Sequence, residues 1–105
     1  MDKQYTEEEV KSMLNELSEK ISMVEEEADL ACEGDNINKY AWSMDKITKE
    51  ILPRVRFVNS LISQSDFKSK RDLSLEASKL ITRLEEMVDK LEKWWIVYKP
   101  KLAQN

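Results

Sequence analysis

The sequence contains no histidine. That absence removes imidazole from any acid–base or phosphorelay chemistry and withdraws the commonest zinc ligand. Ferritin-like di-iron sites, which draw on Glu-x-x-His pairs, are excluded with it. Gly34 is the only glycine, so no glycine-rich phosphate loop can form. Cys32 is the only cysteine, which leaves no disulfide within the chain and no sign of an oxidising compartment. The prolines are also few, Pro53 and Pro100. So few breakers suit long helices with short connections and argue against a turn-rich β fold. No apolar run approaches the roughly 20 residues that a membrane span needs. The stretch from Met1 to Glu9 is acidic where a secretory signal is cationic and then apolar. The expectation is a cytoplasmic protein, or one exported without a classical signal.

What remains is enough for one small core. The chain has 105 residues, 41% of them apolar and 36% charged. One domain over residues 1–105 is expected, burying roughly 65% of the surface of the unfolded chain. Charge is unevenly spread. Residues 1–35 carry 12 acids and 3 bases, whereas residues 36–105 carry 9 acids and 14 bases. An acidic first helix lying against two basic ones accounts for this without any ligand.

Periodicity supplies the fold. Thr6 followed by Glu7, Glu8 and Glu9 reads as a capping box with acids at the positive end of a helix. Behind it, Val10, Leu14, Leu17, Ile21, Val24, Ala28 and Ala31 alternate spacings of four and three. That is a heptad seam. Gly34 reads as its C-terminal cap and Asp35 as the N-cap of the next helix. The second helix carries Ile37, Ala41, Met44, Thr48, Ile51, Val55, Val58 and Ile62, flanked by Tyr40, Ile47 and Leu61. Pro53 falls inside it and predicts a kink, since the stripe keeps its phase on either side. Residues 63–72 lose the period and form the second connection. The third helix shows Leu73, Ala77, Leu80, Leu84, Met87, Leu91, Trp94 and Tyr98, with Ile81, Val88 and Trp95 as a second line. Two adjacent stripes predict contact with two neighbours. Pro100 is expected to stop it. The reading is an all-α, antiparallel, up-down-up three-helix bundle, with helices near 6–33, 36–63 and 72–98. Pairs at i,i+4, such as Glu7–Lys11, Glu16–Lys20, Glu86–Lys90 and Asp89–Lys93, add small surface support.

Catalytic chemistry is hard to place on this pattern. Glu25, Glu26 and Glu27 are consecutive, as are Glu85 and Glu86, so their carboxylates point about 100° apart and do not converge. Cys32 sits among Asp29, Glu33 and Asp35, which raise a thiol pKa where a nucleophile needs it lowered. Neither an enzyme nor a cofactor is expected. Arg54, Arg56, Lys68, Lys70, Arg71, Lys79 and Arg83 form a candidate basic patch, but a sequence pI near 5.0 speaks against nucleic acid. Met23, Leu30, Trp42, Phe57, Leu75 and Ile96 fall outside the apolar stripes. Trp42, Phe57, Trp95 and Ile96 are the candidate partner-binding residues, because aromatic side chains are enriched at interfaces.

The profile is similar to the small helical proteins of type VII secretion in length and in its lack of histidine and cysteine pairs. Their Trp-x-Gly between two helices is absent, since Gly34 precedes Trp42 by eight positions. Their terminal Tyr-x-x-x-acid is absent too, because Leu102 stands four after Tyr98. The stretch Gly34-Asp35-Asn36-Ile37-Asn38-Lys39-Tyr40-Ala41 faintly resembles helix-hairpin repeats and small flagellar export chaperones. No functional residue is carried across from either. The expected function is a non-enzymatic interaction module, a small adaptor, inhibitor or regulator, acting on another protein or by self-association. The alternative is a dedicated chaperone for an exported or assembling protein, and a nucleic-acid-associated regulator ranks third.

Overall fold

Helix α1 (Glu7–Glu33) opens with the reciprocal bonds its sequence calls for. The Glu9 N–H donates to Thr6 Oγ1 at 3.1 Å, and the Thr6 N–H donates to the Glu9 carboxylate at 3.2 Å. Two of the helix's orphan donors are satisfied this way. All seven residues of the seam from Val10 to Ala31 are buried. The computed structural model describes residues 4–103, so both ends of the expected 1–105 domain lie outside the described residues.

The exit from α1 differs from expectation. Gly34 caps the helix with φ −99°, and the left-handed residue is Asp35, with φ 47°. The Asn36 N–H donates back to the Ala31 carbonyl at 2.9 Å, the long bond of a Schellman turn. Asp35 therefore cannot be the next N-cap. Asn36 takes that role, its Oδ1 accepting from the Lys39 N–H at 3.1 Å. A Cβ at position 34 would stand 3.2 Å from the Leu30 carbonyl, a tight contact.

The second arm is helical from 37 to 63 without a gap. It comprises α2 (Ile37–Asp45), a π-helical turn (Lys46–Ile51) and α3 (Leu52–Ser63). The Leu52 N–H reaches back five residues to the Ile47 carbonyl. Pro53 offers no N–H and its ring crowds the carbonyl four residues back, so a wider turn just before it relieves the clash. Thr48 Oγ1 donates to the Met44 carbonyl at 2.8 Å on the same turn. The inserted residue rotates everything upstream. Ile51, Val55, Val58 and Ile62 are buried as expected, but their upstream partners are Ile47 and Ser43. Ala41 and Thr48, expected in the stripe, are exposed, and Ile37 and Met44 are only half-buried.

Helix α4 (Lys70–Ala103) starts two residues earlier than the periodicity suggests and continues through Pro100. The expected stop at Pro100 is thus corrected. A proline so near a helix end forfeits one hydrogen bond with little helix left to disrupt. Leu73, Ala77, Leu80, Leu84, Met87 and Leu91 are buried, and Ile81 and Val88 pack beside them.

Cross-helix bonds fix the topology. Glu27 meets Lys39, and Lys20 meets Glu50, so α1 and the second arm run antiparallel. Glu7 accepts from the Ser69 N–H, Glu25 meets Arg83, Asp29 meets Lys90, and Asp35 meets Trp94. Both numbers rise together, so α1 and α4 run in the same direction. Helix α4 packs against both other arms. Three helices packed together, with no strand among the described residues, is the fold the periodicity predicts. The molecule is a rod of 57 × 27 × 17 Å. Its radius of gyration is 16.5 Å, against about 13 Å for a compact chain of this length. Part of the excess is the end of α4. Trp94 is already level with the turn at Asp35, so residues 96–103 run on past the bundle for about 12 Å.

Candidate partner-binding surface

Eighteen apolar side chains form the buried core, and Trp42 and Phe57 are not among them. Trp42 is 44% exposed and Phe57 45%. Both lie on the flank of the second arm that faces α1. Trp42 borders an open recess of about 400 Å³ with Glu27, Asn36, Asn38 and Lys39, and the Lys46 ammonium stands 5.9 Å from its ring centre. A cation over an exposed indole face contributes about 0.5–1 kcal/mol. At the other end of the arm, Phe57 packs edge-on against Tyr5, ring centres 6.0 Å apart. Fifteen residues separate the two aromatics, or about 22 Å of helix. Between them lies an ion-pair strip in which Glu50 takes Lys46 at 2.6 Å and Lys20 at 3.6 Å. Those hydrogen bonds and charges, that of Lys46 foremost, hold the Glu50 carboxyl below its ordinary pKa.

Trp95 and Ile96, the other two candidates, occupy the opposite end of α4. Tyr40 stacks on Trp95 with ring centres 5.2 Å apart, and Trp94 stacks on Tyr98 at 4.6 Å. Trp94 Nε1–H donates to the Asp35 carboxylate at 2.8 Å. The rings thus close the end of the bundle by contacting one another, and Trp95 is half-buried. Burial pushes the Tyr40 hydroxyl above its ordinary pKa, with the Glu92 carboxylate adding to it. Ile96 points elsewhere and is 70% exposed, with Val97 also open. Met23, Leu30 and Leu75, which the wheel turns outward, are exposed as well.

The seven basic residues lie on α3, on the second connection and along α4. Arg83 donates to Ser18 Oγ at 3.1 Å, to Ser22 Oγ at 3.0 Å and to the Glu25 carboxylate. It is thereby turned onto α1. Arg54 and Arg56 are exposed on the second arm, which meets α4 along a different flank, by Leu84 and Val88. Lys79 is exposed on α4, bordering the same shallow recess as Arg83 and Leu75. Lys68 and Arg71 are exposed near the second connection, with Lys70 half-buried between them.

Cys32 is half-buried near the end of α1. Burial pushes its thiol pKa up; Lys90 opposes this, and Asp29, Asp35 and Glu33 reinforce it. Among the described residues, no cluster of acids and cysteine is arranged to hold a metal ion, and no helix is long and apolar enough to cross a membrane.

Sequence reasoning placed Trp95 beside the apolar stripe of the third helix, but missed its stacking on Tyr40 and the bond from Trp94 to Asp35, because these contacts join the turn after α1 to the far end of α4. The aromatic residues at 94, 95 and 98 were the available signal. Comparison of the chain with protein-family models, curated proteins and solved structures finds no match.

Proposed function

We propose that this protein is a non-enzymatic interaction module that docks onto another protein through the flank of its second arm, with Trp42 and Phe57 as anchors. The observation that carries this is that the core closes without them. Eighteen residues fill the interior, while two large aromatics on one helical flank remain nearly half exposed. Interface energetics concentrate in such aromatic anchors, surrounded by polar groups that exclude water. The strip of Lys20, Glu50 and Lys46 between the rings supplies such a polar surround. Lys46 and Tyr5 hold the two rings in fixed places, which lowers the entropy a partner must overcome on binding.

The test is capture of partners from the protein's own source, comparing the wild type with Trp42→Ala/Phe57→Ala. One stoichiometric partner held by the wild type and lost by the variant, with an unchanged far-ultraviolet spectrum, supports the reading. A folded partner identifies an adaptor or inhibitor, and a partner bound only while unfolded identifies a chaperone. Capture that is indifferent to both substitutions sinks the proposed face.

A further inference from the structure

The overhanging end of α4 and the groove beside its middle are opposite in charge. The groove lies between α4 and the second arm at the π turn, and has a volume of about 330 Å³. Thr48, Leu52 and Val88 line it, and Glu85, Asp89 and Glu92 stand along its α4 side. The overhang carries Ile96, Val97 and Leu102, all exposed, together with Lys99 and Lys101 and no acid. Along one side of the helix the order is Glu85, Asp89, Glu92, Ile96, Lys99, Ala103, at alternating spacings of four and three. Acids occupy the first half of that line and an apolar-basic segment the second.

A helical strip that is acidic in one half and basic in the other is its own complement when turned end for end. Two-fold symmetry makes that arrangement, with each contact formed twice. We propose that the occupant of this groove is a second copy of the chain, the two α4 helices pairing antiparallel about a two-fold axis near Trp94. The register follows from the charges. Placing Asp89 opposite Lys99 of the other copy sets Glu92 opposite Ile96 and Glu85 opposite Ala103. Each overhang then leaves its own bundle and runs back along the groove of the other, its Ile96 and Leu102 directed toward the apolar floor at Leu52 and Val88. Lengths agree as well. The overhang spans about 12 Å, and the groove between Glu85 and Glu92 about 11 Å. Asp89 already pairs with Lys93 at 2.9 Å, an exposed contact within one turn that gives way readily to a better-placed lysine. This pairing uses surface remote from Phe57 and is independent of the docking face proposed above.

The experiment is sedimentation of the full chain from micromolar to millimolar concentration, with two charge-swapped variants. Glu85→Lys/Asp89→Lys/Glu92→Lys makes the strip wholly basic, and Lys99→Glu/Lys101→Glu makes it wholly acidic. The wild type is expected at twice 12.4 kDa, dissociating as salt is added. Each variant alone should be monomeric, and a one-to-one mixture should recover the double mass, because like charges become opposite again across the pair. All the substituted residues are exposed, and circular dichroism verifies folding. Ile96→Asp is the control should a multiple variant fold poorly, and it too should be monomeric. A wild type that stays monomeric at millimolar concentration overturns the proposal. So does a dimer that persists in the variants, or a mixture that fails to recover it.

Discussion

The Asp35 carboxylate accepts the Trp94 indole N–H at 2.8 Å from a residue whose own backbone is left-handed, with φ 47°. Two opposed effects meet at this one position. The left-handed backbone costs an L residue roughly 1–2 kcal/mol, less for Asp and Asn than for others. The hydrogen bond returns about 0.5–1.5 kcal/mol. Replacement by glycine removes both and should leave stability within about 0.5 kcal/mol of wild type. Asp35→Ala keeps the cost and loses the bond, so it should destabilise by about 1–2 kcal/mol. Asp35→Asn, which keeps an acceptor oxygen, should behave like the glycine variant. Urea titration of the three variants checks the order. An alanine variant as stable as the glycine variant refutes the account.

Ser43 offers a gain in stability. Its side chain is wholly buried, and Oγ has no hydrogen-bond partner. An unpaired buried hydroxyl costs about 1–3 kcal/mol. Ser43→Ala keeps the volume and deletes the orphan, so the unfolding midpoint should rise by about 1 kcal/mol in free energy. Ser43→Val is the contrast. α2 packs against the end of α1 that carries Ala28 and Ala31, and a larger side chain in this small-residue layer should cost about 1–3 kcal/mol. Thermal denaturation measures both signs.

The raised thiol of Cys32 sets its reactivity. Burial holds its pKa above the ordinary value, and Lys90, whose ammonium also donates to Asp29, is the group opposing this. That hydrogen bond raises the pKa of Lys90, so its charge persists as pH rises through the ordinary thiol range. Alkylation proceeds through the thiolate. Its rate at neutral pH should therefore be lower than that of the urea-unfolded chain. The rate should climb about tenfold per pH unit past the ordinary thiol value before levelling. Lys90→Ala removes the opposing cation and should move the plateau higher still. A plateau that moves lower in this variant, or a native thiol as fast as the unfolded one, contradicts the assignment.

How far the sequence can be read depends on whether a residue's placement is decided by its own helix. In α1 every seam residue from Val10 to Ala31 is buried, since regular 3.6-residue winding carries the pattern without interruption. The outward positions of Met23, Leu30, Leu75 and Ile96 follow from the same winding. The second arm reads correctly only beyond the π turn. Ile51 to Ile62 keep their phase, but one extra residue turns Thr48 outward and brings in Ile47 and Ser43. The proline was visible, whereas the hydrogen-bond slip that accommodates it was not, because either a kink or a widened turn relieves the same clash. Gly34 caps α1 as the sequence reads, but the N-cap of the next helix moves by one position, from Asp35 to Asn36, for a non-local reason. Trp94, fifty-nine residues away, gives Asp35 a partner in the left-handed place. At the candidate surface, the aromatic residues could be named from the sequence, but not the contacts to Tyr5, Lys46 and Tyr40 that hold them.

The extra residue of the π turn makes a final prediction. Spacings between buried residues of the second arm run four, four, four, three and four from Ser43 to Ile62. Deleting one residue between Ile47 and Ile51 restores alternation of four and three, the spacing that regular winding keeps on one face. Lys49 is exposed and pairs only within its own turn, with Asp45 at 3.4 Å. Its removal forfeits at most about 0.5 kcal/mol of surface attraction. Regular winding would bring back the clash of Pro53 with the carbonyl four residues before it, at about 3 kcal/mol, so the deletion is made together with Pro53→Ala. In that background the deletion variant should fold cooperatively, with stability within about 1 kcal/mol of Pro53→Ala alone, if the π turn is an insertion the core can do without. Deletion of Glu85, also exposed but in a regular stretch of α4, is the control. It rotates one half of α4 by about 100° against the other and turns Met87 and Leu91 out of the core. Exposing each of them costs about 1.5–3 kcal/mol, together a large part of the roughly 5–15 kcal/mol that holds a chain of this size. Equal destabilisation by both deletions, read by urea titration, would show that the π turn is itself required by the core.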